Sequence, residues 1–176
     1  MIRLLLPFLL AASFTIYAAE SPIAPTFSLK DEQGRQISFP RNEEGVDIYL
    51  FWASWCPYCK ALMPHLQSIL EEYGDEVRVF AFNIRDDIDP SISLDKNGFN
   101  FHLMPDADKL MELYGVKGTP GLFLVDSESV IRLNLYQLLN QNEVLEKDLS
   151  NSQKAARKAP WWASEIRQSL DVILSE

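Results

Sequence analysis

Apolar and polar positions change period in a regular order along the chain, and that order predicts the elements. Residues 25–30 and 36–39 alternate around the turn-forming Asp31-Glu32-Gln33-Gly34, predicting a small N-terminal β-hairpin. Residues 46–52 are β-branched and aromatic nearly throughout, as expected of a central strand covered on both faces. From Pro57 to Tyr73 the positions Leu62, Leu66, Ile69, Leu70 and Tyr73 recur every third or fourth residue, predicting an amphipathic helix ended by Gly74. Residues 77–82 read as another buried strand. Residues 88–98 and 107–114 carry helical patterns, the second through Ala107, Leu110, Met111 and Tyr114, with a short strand at 101–104 between them. Residues 121–125 and 130–135, separated by Asp126-Ser127-Glu128-Ser129, predict an antiparallel hairpin that closes the sheet. The polar stretch 138–158 is helix-compatible, and Pro160 divides it from a last helix with Ile166, Leu170, Ile173 and Leu174 on one face. Strands alternating with helices and ending in a hairpin predict an α/β sandwich, a mixed central sheet with helices on both faces.

The first residues belong to a different pattern. Arg3 precedes an apolar run from Leu4 to Ile16, and Ala18-Ala19 follows, which reads as a secretory signal peptide over 1–18. The run is interrupted by Pro7 and falls short of the ~20 residues a membrane-spanning helix needs, so cleavage near Ala18 is expected rather than an uncut anchor. Residues 19–176 then form one domain, consistent with a length of 176, with 136–176 as a divergent helical C-terminal extension. Export puts the chain in the periplasm or another extracytoplasmic space, without a transmembrane anchor after cleavage. A net charge of −9 repels phosphate backbones, which excludes nucleic acid as a partner.

The candidate chemistry is concentrated in the only two cysteines, Cys56 and Cys59. Two thiols exclude a disulfide scaffold and a four-thiolate metal site. They lie in Trp55-Cys56-Pro57-Tyr58-Cys59-Lys60, where a buried strand becomes a helix. A thiol at a helix N-terminus meets unpaired backbone N–H groups and the positive end of the helix dipole, both of which favour the thiolate. Cys56 is therefore the expected nucleophile. Cys59, almost one turn on and deeper, is the expected resolving thiol. Pro57 fits the first helical turn, where its missing N–H loses nothing. A structural disulfide at this spacing closes almost no loop and constrains little. A zinc site would need two further ligands, and the only histidines are His65 and His102.

The run Phe51-Trp52-Ala53-Ser54-Trp55-Cys56-Pro57-Tyr58-Cys59-Lys60 with Met63-Pro64, followed by the run from Tyr114-Gly115-Val116-Lys117-Gly118-Thr119-Pro120-Gly121 to Asp126, resembles the exported TlpA/ResA branch of the thioredoxin superfamily. The resemblance covers roughly residues 25–135 and rests on two independent motifs in the right order. It implies a thioredoxin-like three-layer sandwich. It also implies a cis peptide bond before Pro120, facing the cysteine pair, and a backbone at Thr119 that pairs with an extended substrate. Trp55, Pro57, Tyr58, Thr119 and Pro120 are the implied substrate-contacting residues, Pro57 and Tyr58 replacing the Gly-Pro pair of thioredoxins. No cofactor is implied beyond a redox-active Cys56–Cys59 disulfide, re-reduced by a membrane electron donor. Partners would be exported protein thiols and disulfides, cytochrome c maturation factors among them.

One departure bears on mechanism. The buried Asp that assists the second cysteine in thioredoxins is Leu50 here, and an aliphatic side chain cannot carry a proton. The resemblance places Asp86 near the active site instead, with Asp87 adjacent, and a carboxyl half-buried beside Cys59 would have a raised pKa.

The resulting expectation is a thioredoxin-fold thiol:disulfide oxidoreductase working as a reductant. A dithiol oxidase or isomerase on the same fold is one alternative. A copper chaperone using Cys56, Cys59 and His102 is another, disfavoured because copper chaperones of this fold separate their cysteines by three residues. A peroxiredoxin is disfavoured by the lack of a Thr-x-x-Cys nucleophile. Trp52 reads as core, Trp55 as a flank of the exposed Cys56 sulfur, and Trp161-Trp162 as anchors of the last helix on the sheet.

Overall fold

The computed structural model describes residues 22–138 and 148–176. The expected signal peptide lies outside the described residues. The N-terminal hairpin forms as expected from β1 (Phe27–Lys30) and β2 (Gln36–Phe39), in register Phe27 with Phe39. The main sheet comprises β3 (Val46–Trp52), β4 (Val77–Asn83), β5 (His102–Met104), β6 (Gly121–Val125) and β7 (Ile131–Asn134), in the order β5-β4-β3-β6-β7. β3 runs parallel to β4 and antiparallel to β6, so the sheet is mixed, with β3 at its centre and all seven of its residues buried.

Strand alternation sends different chemistry to the two faces. Val46, Ile48, Leu50 and Trp52 of β3, Val77, Val79 and Ala81 of β4, and Leu122 and Leu124 of β6 share one core with α1 (Pro57–Tyr73) and α4 (Asn151–Leu174). Tyr49 and Phe51, Phe80 and Phe82, and Phe123 point to the other face, beneath the hairpin and α3 (Leu110–Leu113). There the rings of Phe39, Tyr49, Phe80 and Phe82 meet edge to face at centroid separations of 5.0–6.3 Å, an arrangement favoured by the ring quadrupoles. These are the three layers expected. Among the described residues no helix is long and apolar enough to cross a membrane.

Helix boundaries follow local chemistry. α1 ends at Gly74, whose positive φ of 57° suits a residue without a Cβ. α2 (Pro90–Asn97) starts two residues later than expected, because the Asp89 carboxylate accepts the Ser91 N–H and Pro90 occupies the first helical position. The segment 107–114 is divided between a 3-10 turn, Ala107–Lys109, and one turn of α-helix, α3.

The C-terminal region corrects the sequence reading. α4 begins after the capping box of Ser150 and Gln153 and runs through Pro160 without a break. Part of the expected 138–158 helix, residues 139–147, lies outside the described residues. The proline is tolerated because Ala156, whose carbonyl loses the Pro160 donor, and Pro160 itself both sit on the exposed side. The opposite face, Ala155, Ala159, Trp162, Ala163, Ile166 and Leu170, is buried without interruption, and much of it packs on α1 and the sheet. Each large side chain so buried contributes about 1.5–3 kcal/mol, enough to offset the ~3 kcal/mol cost of an interior proline. Trp162 is the buried anchor, and Trp161 is partly buried against the same core. Tyr73 reaches from α1 to donate to Asp171, and Arg167 pairs with Glu72.

Candidate functional site

The C-terminal end of β3 leads through Ala53, Ser54 and Trp55 into α1, so the helix N-terminus opens at the middle of the sheet. Cys56 is the N-cap, with extended backbone (φ −76°, ψ 115°), and its Sγ accepts the backbone N–H of Cys59 at 3.3 Å. Cys59 lies one turn deeper and has no exposure. Both are free thiols. The Cys56 thiol also faces the carbonyl of Thr119, 3.3 Å away, across a cis Thr119-Pro120 bond. The two motifs, 63 residues apart at their closest contact, thus meet at one sulfur.

The surroundings split the two thiols. The hydrogen bond from Cys59 lowers the pKa of Cys56 most; burial opposes it, and Thr119 and the backbone N–H groups of Cys59 and Tyr58 bring it down to about 6. Cys59 is driven the other way, by burial first and then by the hydrogen bond and charge of Cys56. One differs from expectation in its exposure: the Cys56 sulfur is covered, the residue being only 2% exposed, while Trp55 beside it is 56% exposed. The Trp55 indole N–H donates to the carbonyl of Arg85 at 2.7 Å. Arg85 holds a left-handed conformation (φ 51°), stabilised by its N–H on Asp108.

Asp86 is next to the active-site turn, but its chemistry reverses the expectation. Its carboxylate accepts the Ser54 N–H at 2.5 Å, the Ser54 hydroxyl at 2.8 Å and the Asn83 amide at 3.0 Å. Burial pushes its pKa up, yet the Ser54, Asn83 and Ile88 donors outweigh burial, and the net shift is downward. A carboxylate held in its charged form by three groups is a fastener for the turn and a poor proton carrier.

Tyr58, Thr119 and Pro120 line a groove of about 680 Å³ together with Tyr136, Lys158 and Trp162. Pro57 is the first residue of α1. Sequence reading missed Tyr136, which belongs to no motif, and gave Ser54 no role although it stands in the run that leads to Cys56. Trp162 was noticeable as half of a doublet, but nothing local placed it against Tyr58 in this groove. His102 does not join the site: it is exposed, and its ring stacks on Phe80, a member of the core on the far face of the sheet. Among the described residues no three His, Cys, Asp or Glu side chains gather as a metal-holding group. The structure therefore does not assemble the Cys56, Cys59 and His102 set of the copper reading.

Residues 22–134 match the AhpC/TSA family. The chain belongs to that family. Within it, the chain is similar to the thiol-disulfide oxidoreductase ResA of Geobacillus thermodenitrificans, 29% identical over 145 residues that cover 73% of this chain and 81% of the relative. It is also similar to the thiol:disulfide interchange protein DsbE of Allochromatium vinosum, 34% identical over 62% of each chain. Among solved structures, StoA of Bacillus subtilis superposes with a TM-score of 0.53 at 26% identity, over 64% of this chain and 87% of that one. These relatives agree with the ResA-like branch indicated by the two motifs. The matched family segment stops at residue 134, so Tyr136 and all of α4 lie beyond it.

Proposed function

We propose that this chain is a thiol–disulfide oxidoreductase that reduces disulfides of exported proteins. The observation that carries the reading is the division of labour between two adjacent thiols, one held as a thiolate near neutral pH and one kept protonated. The Cys56 thiolate attacks a substrate disulfide, forming a mixed disulfide and releasing one substrate thiolate. Cys59 loses its proton as the neighbouring charge is consumed in that bond, then attacks the Cys56 sulfur. The products are the Cys56–Cys59 disulfide and a second substrate thiol, and two electrons have passed to the substrate. A membrane dithiol donor would return the pair to its reduced state. A Cys56 pKa of about 6 lies nearer the ~7 of thioredoxin than the ~3.5 of a strongly oxidising exchange protein, which supports the reducing direction. The signal-peptide pattern over 1–18, Arg3 followed by the apolar run Leu4–Ile16, supports export.

Cys59→Ser blocks resolution, so mixed disulfides on Cys56 should accumulate and be visible on non-reducing gels. Their absence would refute the mechanism. A reduction potential near the roughly −270 mV of thioredoxin is expected, and one near −120 mV would reverse the direction to that of a dithiol oxidase.

A further inference from the structure

We propose that Tyr136 is a positioning residue of this site: its phenol clamps the loop 118–121 and so keeps Thr119 against Cys56 and aligned for a substrate strand. Tyr136 follows β7 in the 3-10 turn Leu135–Gln137, where the Asn134 carboxamide oxygen caps its N–H at 3.0 Å and its ring packs edge-on to Phe123. The side chain reaches back across the sheet end. Its hydroxyl donates to the Gly118 carbonyl and accepts the Gly118 N–H at 3.3 Å, engaging both polar groups of the residue before Thr119. On the other side of Pro120, a Cβ added to Gly121 would stand 2.8 Å from the same oxygen. One phenol oxygen therefore touches the loop on both flanks of the Thr119-Pro120 bond, and Thr119 in turn presents its carbonyl to Cys56. Cys59 and Arg85 are the charged or titratable groups whose fields reach the phenol. A two-point hold of this kind fixes the loop within the tolerance that a reacting geometry needs.

The inference rests on the function proposed above, and the test separates the two. Tyr136→Phe keeps the ring and removes the clamp. In this variant the midpoint of Cys56 alkylation by iodoacetamide should rise by about half a pH unit, because the Thr119 side chain, which favours the thiolate, is no longer held at the sulfur. The kcat/KM for a peptide disulfide should fall about tenfold, mainly through KM, as expected for loss of one well-placed hydrogen-bonded hold. Gly121→Ala, which pushes the phenol away from the opposite side, should produce the same shift. In the Tyr136→Phe background the alanine should add little, since the nearest clashing atom is gone. An unchanged midpoint and KM in Tyr136→Phe would overturn the clamp, even if the variant melts earlier. A wild-type chain that reduces no disulfide would strike the functional reading, while the alkylation midpoint, which needs no substrate, still decides the clamp.

Discussion

At the scale of single residues, the site depends on which donors meet which acceptors. Cys56 is a low-pKa thiol because the Cys59 thiol, the Thr119 side chain and a helix N-terminus converge on it, and the helix part of that environment was legible from Pro57 and the strand-to-helix switch alone. Asp86 was legible as a position and misleading as a chemistry, since a sequence shows a carboxyl but not the three donors that claim it. Removing it should therefore act on stability. Asp86→Ala is expected to lose about 1–3 kcal/mol at neutral pH, measured by urea unfolding of the reduced protein, and Asp86→Asn to recover part of that, since an amide oxygen still accepts from Ser54. The sign with pH follows from the lowered folded pKa. The contribution is present above the unfolded value near 3.9 and lost as pH falls through the folded one, so the gap between wild type and Asp86→Ala should close below about pH 4. If instead the loss were confined to turnover, with stability unchanged, Asp86 would be a proton carrier after all.

Elements are where local rules met their limit. Every strand and helix with a strong period was recovered, from the hairpin to α1, because a half-buried strand or helix has to repeat with the pitch of its own backbone. Pro160 was read as a boundary, as a proline missing its N–H ordinarily is, but docking of an unbroken buried face outweighs one lost hydrogen bond on the exposed side. The penalty remains in the folded state. Pro160→Ala should thus stabilise the protein, by about 1–3 kcal/mol in chemical denaturation, with the Cys56 alkylation midpoint unmoved. No gain in stability would mean that α4 is already bent to accommodate the ring.

For the molecule as a whole, the mixed sheet separates an aliphatic face, which carries α1 and both cysteines, from an aromatic face, which carries the hairpin and His102. Side-chain chemistry on the far face should not reach the thiols. His102→Ala is expected to leave both the alkylation midpoint and the rate of disulfide reduction as in the wild type; a loss of either would bring the histidine back into the site. The sequence by itself determined the layered α/β architecture, the pair of thiols and which of them stands at the helix N-terminus, because periodicity and a helix start are local properties of the chain. Only the tertiary structure decided that Asp86 is a fastener, that His102 is remote, and that Tyr136 and Trp162, from beyond the matched family segment, line one groove with Thr119 and Pro120. Those outcomes depend on contacts between residues far apart in sequence, and such contacts are settled by the packing of whole elements rather than by any neighbouring letters.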